Sequence, residues 1–459
     1  MCTDEKIRRN PPYPWPSLAV ACTATLCQES EQSAIMARAS TDPTAPANLR
    51  WNFTVNLIDI AFITLGISLV SRDTVLPVLV STLTDSNLAI GLIAALYGLG
   101  IYLPQLFTAN FTERLRYKKP FVMVVGSVGE RLPYLLMGVA VWFFAVPAPQ
   151  VALVLVLGCL ALTGFSAGAA TPAWYDMIAK VIPVSRRGLW SGLGHGLGAL
   201  MGIFGALLVG RILDDHPYPA NFTLLFLLAF GAVCLSFIGL ALNREPPSEI
   251  VKARISTGTY FRQLPLLLRA NANYRRFFIS RTTVILGAMA TSFFIIYGNQ
   301  RFGLDGAAIG LMTATLVATQ AIMSLVWGVI GDRAGHKVVL TSAAFALAMA
   351  ALNTLLAPTQ GWLVLSFVLL GMYSSGDAVS GLNIILEFAR PEDRPTFIGL
   401  TNTLLAPTIV LAPMIGGWIA TVAGFPVLLI MAATIAATGA TLLAFWVHEP
   451  RQKPLPAPE

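Results

Sequence analysis

Between about residue 56 and residue 447 the chain is a succession of apolar runs, most of them twenty or more residues long, separated by short polar breaks. A run of that length crosses the hydrocarbon core of a bilayer as a helix. Twelve such spans are predicted, with approximate limits 56–82, 88–111, 120–146, 150–179, 188–212, 221–242, 278–299, 306–330, 337–357, 361–386, 396–422 and 425–447. The breaks carry turn residues, as in Asp85-Ser86-Asn87, Pro147-Ala148-Pro149, Asp214 to Pro219 and Pro358 to Gly361. Most are short, which makes consecutive spans antiparallel. The exception is 243–277, which divides the spans six and six. A membrane barrel needs segments of about ten residues with alternating polarity, and these runs are continuous. In lipid only helices or closed barrels satisfy the backbone, so helices follow. The predicted fold class is an all-α membrane protein with twelve transmembrane helices in two pseudo-symmetric six-helix bundles. The bundles are 51–242 and 278–447, joined by a cytoplasmic linker at 243–277 and followed by a tail at 448–459.

Composition agrees. The chain is 56% hydrophobic and 12% charged, with a mean hydropathy of +0.70, where a soluble chain carries about 25% charged residues. This excludes a soluble multidomain enzyme, a disordered chain and a collagenous one. The five cysteines, Cys2, Cys22, Cys27, Cys159 and Cys234, form no C-x-x-C pair and indicate neither a disulfide framework nor a metal site. Residues 1–50 are rich in Pro, Ser, Thr and Ala and read as a disordered cytoplasmic tail, or as a mis-assigned start with the true one at Met36. The stretch Leu18 to Cys27 behind Lys6, Arg8 and Arg9 raises a signal peptide as the alternative.

The formal charge of +7 could point to nucleic acid, but its distribution removes that reading. With both termini placed in the cytoplasm, 25 of the 30 Lys and Arg residues fall on the inner side. Only Arg211 and Arg301 fall outside, and Arg72, Arg131 and Arg281 lie within spans. The asymmetry obeys the positive-inside rule and implies a multi-pass protein of the plasma (inner) membrane. In the linker, Tyr260, Phe261, Leu264, Leu267 and Leu268 recur at helical spacing beside Arg262, Arg269, Arg275 and Arg276. That pattern predicts an amphipathic helix on the cytoplasmic membrane face.

After the second span of the second half the sequence reads Gly328-Val-Ile-Gly-Asp332-Arg333-Ala-Gly335-His336-Lys337, a G-x-x-x-D-R-x-G-x-K pattern. The matching place in the first half holds a worn copy, with Glu113, Arg114, Arg116, Lys118 and Lys119 but neither glycine. Pro183-x-x-Arg186-Arg187-Gly188 follows span four, and Pro391-Glu-Asp-Arg394 follows span ten. In these features the sequence resembles the major facilitator superfamily of secondary transporters, over about residues 50–450 and all twelve spans. The resemblance implies a cytoplasmic latch in which Asp332 lies near a neighbouring helix N-terminus and Arg333 or Arg394 pairs with carboxylates. Gly328 would permit close helix approach and Gly335 a tight turn. It also implies that spans one, four, seven and ten line a central cavity.

Ionisable residues within spans cost at least about 2.5–3.5 kcal/mol each and need a reason. Asp59, Gly66 and Asp73 are seven apart and share a face of a continuous span one, with Arg72 beside Asp73. Span three holds Glu130-Arg131, and span ten holds Asp377 near Tyr373, Ser374 and Ser380. On the functional reading Asp73 or Asp377 takes and releases a proton while Arg72 or Arg131 offers its charge. On the alternative these are structural ion pairs, such as Asp73 with Arg131. Asp59, Asp176, Arg281 and Glu387 are expected near cytoplasmic ends, at gates or interfaces. His195 sits in span five among Gly194, Gly198 and Gly202, whose spacing favours close helix packing. It either titrates near neutral pH or is bonded within that contact. Ala412-Pro413-x-x-Gly416-Gly417 in span eleven reads as the pseudo-symmetric counterpart.

No phosphate-binding G-x-x-x-x-G-K-[ST] loop occurs, which disfavours ATP-driven transport. No cofactor or metal is expected. The sequence therefore reads as a non-enzymatic, monomeric, alternating-access transporter of a small-molecule substrate, coupled to protons, with the lipid bilayer as its setting. The rivals are a non-transporting receptor on a carrier fold and a membrane-embedded enzyme. Reporter fusions test the topology: Pro149, Pro358 and Gly424 should read as external, and Ile250 and the C-terminus as cytoplasmic. An external C-terminus overturns the arrangement.

Overall fold

The computed structural model describes residues 48–112, 115–247, 272–381, 383–388 and 394–450, and these contain no strand. Twelve helices are long and apolar enough to cross a membrane. In the first half the spans are Leu49–Leu69, Asn87–Thr112, Lys119–Phe144, Pro149–Val181, Val184–Asp215 and Ala220–Ala241. In the second they are Ala272–Phe302, Gly306–Ala334, His336–Leu356, Gln360–Ser380, Arg394–Val422 and Phe425–Phe445. With an even number of spans, residues 49 and 450 lie at the same end of the bundle, here the terminal end. The predicted linker helix at 260–268 lies outside the described residues, as do Glu113, Arg114 and the side chain of Arg394.

Three spans depart from continuous α-helix. Span one stops at Leu69, and a short helix resumes at Val75–Leu83. Pro77 accounts for part of the break, since its ring opposes the carbonyl four residues earlier, at Asp73. The predicted common face of Asp59, Gly66 and Asp73 therefore does not exist, because Asp73 lies in the interruption. Span three contains a π-helical turn, Gly126–Arg131, and span seven a 3-10 turn, Ala288–Ala290.

Packing shows the internal two-fold. Span two packs on four as eight packs on ten, and three packs on four and six as nine packs on ten and twelve. The halves meet through five with eight and two with eleven. A Cβ on Gly306 would lie 2.7 Å from the Gly210 carbonyl oxygen, and one on Gly417 2.6 Å from that of Asn87. Only glycine permits such an approach. Asp214 at the end of span five then caps the start of span eight, accepting from the N–H groups of Gly306 at 2.7 Å and Ala307 at 2.9 Å. Thr74 and Thr313 share a hydrogen bond of 2.7 Å nearby. All these contacts lie at the end away from the termini, here the far end. Gly328, expected to mediate a close approach, has nothing within 4 Å of its Cβ position. It faces space between helices in this conformation. Gly335 does make the predicted tight turn, with φ of +97°.

The terminal end holds a duplicated clamp that hydropathy conceals. Asn52 donates to the Arg244 carbonyl at 3.1 Å and accepts from its N–H at 2.9 Å. Asn273 makes the same two bonds to His448, both at 2.8 Å. Each half thus pins its first span to the residue following its last. For this reason spans one and seven begin at Leu49 and Ala272, several residues before their apolar runs. The next residue in each copy is a glutamate before a proline. Glu245 accepts from the N–H groups of Lys118 and Lys119 at the start of span three and from the Lys180 ammonium at 2.7 Å. The carboxylate of Glu449 lies 2.7 Å from the Cβ position of Gly335, at the start of span nine. Lys119 and Lys337 complete the likeness, donating at 2.8 Å to the carbonyls of Asn243 and Ala444.

Glu245→Ala leaves two helix-start N–H groups and a largely buried ammonium without their partner. The expected loss is about 3 kcal/mol, read as a lowered thermal unfolding midpoint in nanodiscs, and an unchanged midpoint refutes the clamp.

Candidate functional site

Between the halves lies a cavity of about 650 Å³, walled by spans two, four, seven, ten and eleven. The glycine contacts close the bundle beyond its far end. Its only described charged residues are Arg281, from span seven, and Asp377, from span ten, and they form an ion pair. The Arg281 side chain is 8% exposed and that of Asp377 35%, so the carboxylate is the more open of the two. Local structure makes room for them. Span ten ends at Ser380, and a Cβ on Gly381 would lie 3.0 Å from an Arg281 guanidinium nitrogen. Tyr102, Tyr175 and Tyr373 bring hydroxyls and ring faces to the wall, and Gln105, Thr401 and Asn402 add neutral polar groups. Thr401 is held by the Tyr274 hydroxyl at 2.6 Å.

Asp377 and Tyr373 thus line the cavity. The arginine beside Asp377 is neither Arg72 nor Arg131 but Arg281, which the sequence places near a cytoplasmic end, at a gate or interface. Arg72 and Asp73 are not on the cavity wall. Arg72 stacks 3.8 Å over the Tyr97 ring and lines a separate pocket of about 20 Å³ with Tyr134. Arg72 and Asp73 both fall in the break of span one, between Leu69 and Val75.

Glu130 and Arg131 also lie away from the cavity. The π-helical turn directs the Arg131 guanidinium towards span six, where Nε donates to the Val233 carbonyl at 3.1 Å and Nη2 reaches Ser236 at 3.3 Å. Nη1 donates to the Gly126 carbonyl at 3.0 Å and pairs with Glu130 at 3.2 Å. Ser236 in turn donates to Asp59 at 2.6 Å. The expected alternative of Asp73 with Arg131 is replaced by this Glu130–Arg131–Ser236–Asp59 chain, within one half. Asp59 is 5% exposed and belongs to a packed interior rather than a gate.

The span five glycines behave as predicted: Gly194 and Gly198 pack on Ile60 and Thr64 of span one. His195 does not share that contact. It is exposed beside it, because Gly194 and Gly198, not the histidine, face span one. At the terminal end, Asp332 and Arg333 are exposed at the last turn of span eight. His336 bonds Ser380 at 3.0 Å and lies 4.0 Å from Glu387. Glu245, Glu449 and the role of Arg281 were not anticipated. The repeated Glu-Pro step after spans six and twelve, Glu245-Pro246 and Glu449-Pro450, was the available signal for the first two.

Two pseudo-symmetric six-helix halves thus surround a central cavity. The sequence model of the Major Facilitator Superfamily matches residues 61–299 and 277–459, and the chain belongs to that family. It is similar to the tetracycline resistance protein, class D, of Salmonella ordonez, 27% identical over 260 residues, 55% of this chain and 63% of that one. It is also similar to the multi-drug resistance efflux pump PmrA homolog of Lactococcus lactis subsp. lactis (strain IL1403), 23% identical over 155 residues, 33% of this chain and 38% of that one. The match thus spans less than two thirds of either relative. Among solved structures, a POT family transporter in complex with 5-aminolevulinic acid aligns with a TM-score of 0.64 at 13% identity, covering 88% of this chain and 96% of that one. That likeness is one of fold.

The two buried arginines should separate in a stability assay. Arg131→Met removes every partner of Glu130 and is expected to cost about 3 kcal/mol, while Arg281→Lys keeps its ion pair and should cost less than about 1 kcal/mol. Equal losses in thermal unfolding would refute the distinction.

Proposed function

We propose that the protein is a proton-coupled secondary transporter of a small organic solute. It works by alternating access as a monomer in the plasma (inner) membrane, with both termini in the cytoplasm. The observation that carries this reading is the Arg281–Asp377 ion pair on the wall of the central cavity. Its support for coupling is electrostatic. Ionised, Asp377 neutralises Arg281; protonated, it releases the guanidinium. Breaking a buried pair costs about 3–5 kcal/mol unless a new partner appears. A bias of that size moves a two-state equilibrium from nearly all of one state to nearly all of the other. The two halves rock about the cavity. The 25-to-2 charge asymmetry supports a terminal end that lies inside, and on that reading the conformation described is closed towards the exterior.

The terminal end closes in the opposite state. There Asp332, Arg333, Lys337 and Arg394 form the latch, with Glu113 and Arg114 as the weaker copy and Gly328 as the point of close approach. A second reading, export in exchange for protons, is favoured by the likeness to two proteins whose names describe resistance and efflux.

Solutes are found first by thermal shift, since a ligand of the folded state raises apparent stability, and then followed in proteoliposomes. Asp377→Asn should abolish transport driven by a pH gradient yet retain binding or gradient-free exchange. Asp332→Asn should lower transport at near-normal expression, and Asp73→Asn should leave coupling intact. Gradient-driven transport at the parental rate by Asp377→Asn removes it as the coupling group, and pH-independent transport by the parent removes coupling.

A further inference from the structure

We propose that the solute is an organic monoanion with an apolar body of aromatic size, bound by Arg281 while Asp377 takes up a proton, so that anion and proton occupy the cavity together. The inference rests on reading the Arg281–Asp377 pair as the coupling group.

The first argument is unspent hydrogen-bonding capacity. A guanidinium carries five N–H donors. Arg131, with its side chain 6% exposed, engages all three of its nitrogens, with two backbone carbonyls, Glu130 and Ser236. Arg281 is buried to the same degree, at 8%, yet its partner among the described residues is Asp377 alone. A guanidinium fork fits carboxylates and related oxyanions. Arg281 also lies on the cavity wall, so its donors without a partner among the described residues adjoin space that a solute can enter. Arg131 is a completed structural arginine, and Arg281 is an incomplete one.

The second argument is charge balance. The paired site is neutral. Adding a cation leaves a net charge of one beside Arg281, and adding an anion alone leaves the opposite excess. Adding an anion and a proton leaves none. In a site within the hydrocarbon width, uncompensated charge is strongly disfavoured. The other described ionisable groups on the wall are Tyr102, from span two, Tyr175, from span four, and Tyr373, on the helix of Asp377. A phenol is neutral around pH 7, so none of them compensates. The proton has a route, because Asp377 is the more exposed partner. It forms the O–H bond on the carboxyl oxygen, the ion pair opens, and the anion replaces the carboxylate at the guanidinium.

The third argument is shape. A volume of about 650 Å³ lies within the usual range for small-molecule sites. Ile285, Ile385, Leu405 and Ile409 supply apolar contact, and the tyrosine rings supply stacking faces. Because proton and anion bind together, an inward proton gradient drives accumulation and not export.

The test is calorimetric titration of the full-length protein in nanodiscs with 2-naphthoate, neutral 2-naphthamide and cationic 2-naphthylmethylamine. Two buffers of different ionisation enthalpy report proton uptake. The parent should bind naphthoate in preference to the amide and amine. About one proton should be taken up per ligand, and affinity should fall as the pH rises. Asp377→Asn should keep naphthoate binding but lose both the proton uptake and the pH dependence. Arg281→Lys should weaken it at least about tenfold. Preferential binding of the amine, lost in Asp377→Asn, overturns the anion assignment and leaves the coupling pair standing. Naphthoate binding without proton uptake, or none, also overturns it. Binding of either ligand that neither variant alters brings down the reading of the pair itself.

Discussion

Hydrocarbon offers no hydrogen-bond partner, so every polar group within the membrane width must find one inside the protein. That constraint organises this chain more than any packing preference. Asn52 and Asn273 are spent on backbone groups at the terminal end, Arg131 on two carbonyls, a hydroxyl and a carboxylate, and Asp214 on the first N–H groups of span eight. Against this background a buried group with donors to spare is informative. Arg281 is such a group, and it stands on a cavity wall with its carboxylate partner half open to the space.

The cavity exists because the two ends of the bundle are built differently. At the far end glycines on spans five, eight and eleven bring backbones within touching distance, and Asp214 ties the halves with charge-assisted bonds. At the terminal end each half is instead fastened to itself, through Glu245 in the first and the Asn273–His448 pair in the second. Contacts between halves concentrate at one end and contacts within halves at the other. A solute-sized space follows between them.

Much of the fold was legible because a transmembrane helix announces itself by length and hydropathy alone. All twelve spans could be read, and the two-fold was visible in the Asp332–Lys337 loop. What escaped was governed by contacts distant in sequence. The early starts of spans one and seven depend on asparagines that look like loop residues until their partners, nearly two hundred positions away, are in place. The break at residues 70–74 misled the assignment of Asp73, since a periodicity argument presumes an unbroken helix. At the site, Asp377 could be singled out as a carboxylate in mid-span, but nothing local names its partner. Arg281 lies 96 residues earlier and was ranked by depth, whereas Arg131 drew attention by proximity to Glu130 and proved saturated.

The duplicated asparagine clamp bears on how force passes through the molecule. Each half is a closed loop of helices, buckled where its first and last spans meet. A load applied at the cavity wall, by swapping a carboxylate for a solute on Arg281, cannot be absorbed by unwinding the half from its ends. It must appear as rotation of the whole half. On the proposed cycle that rotation pivots at the glycine contacts, where backbones touch and side chains cannot interpose.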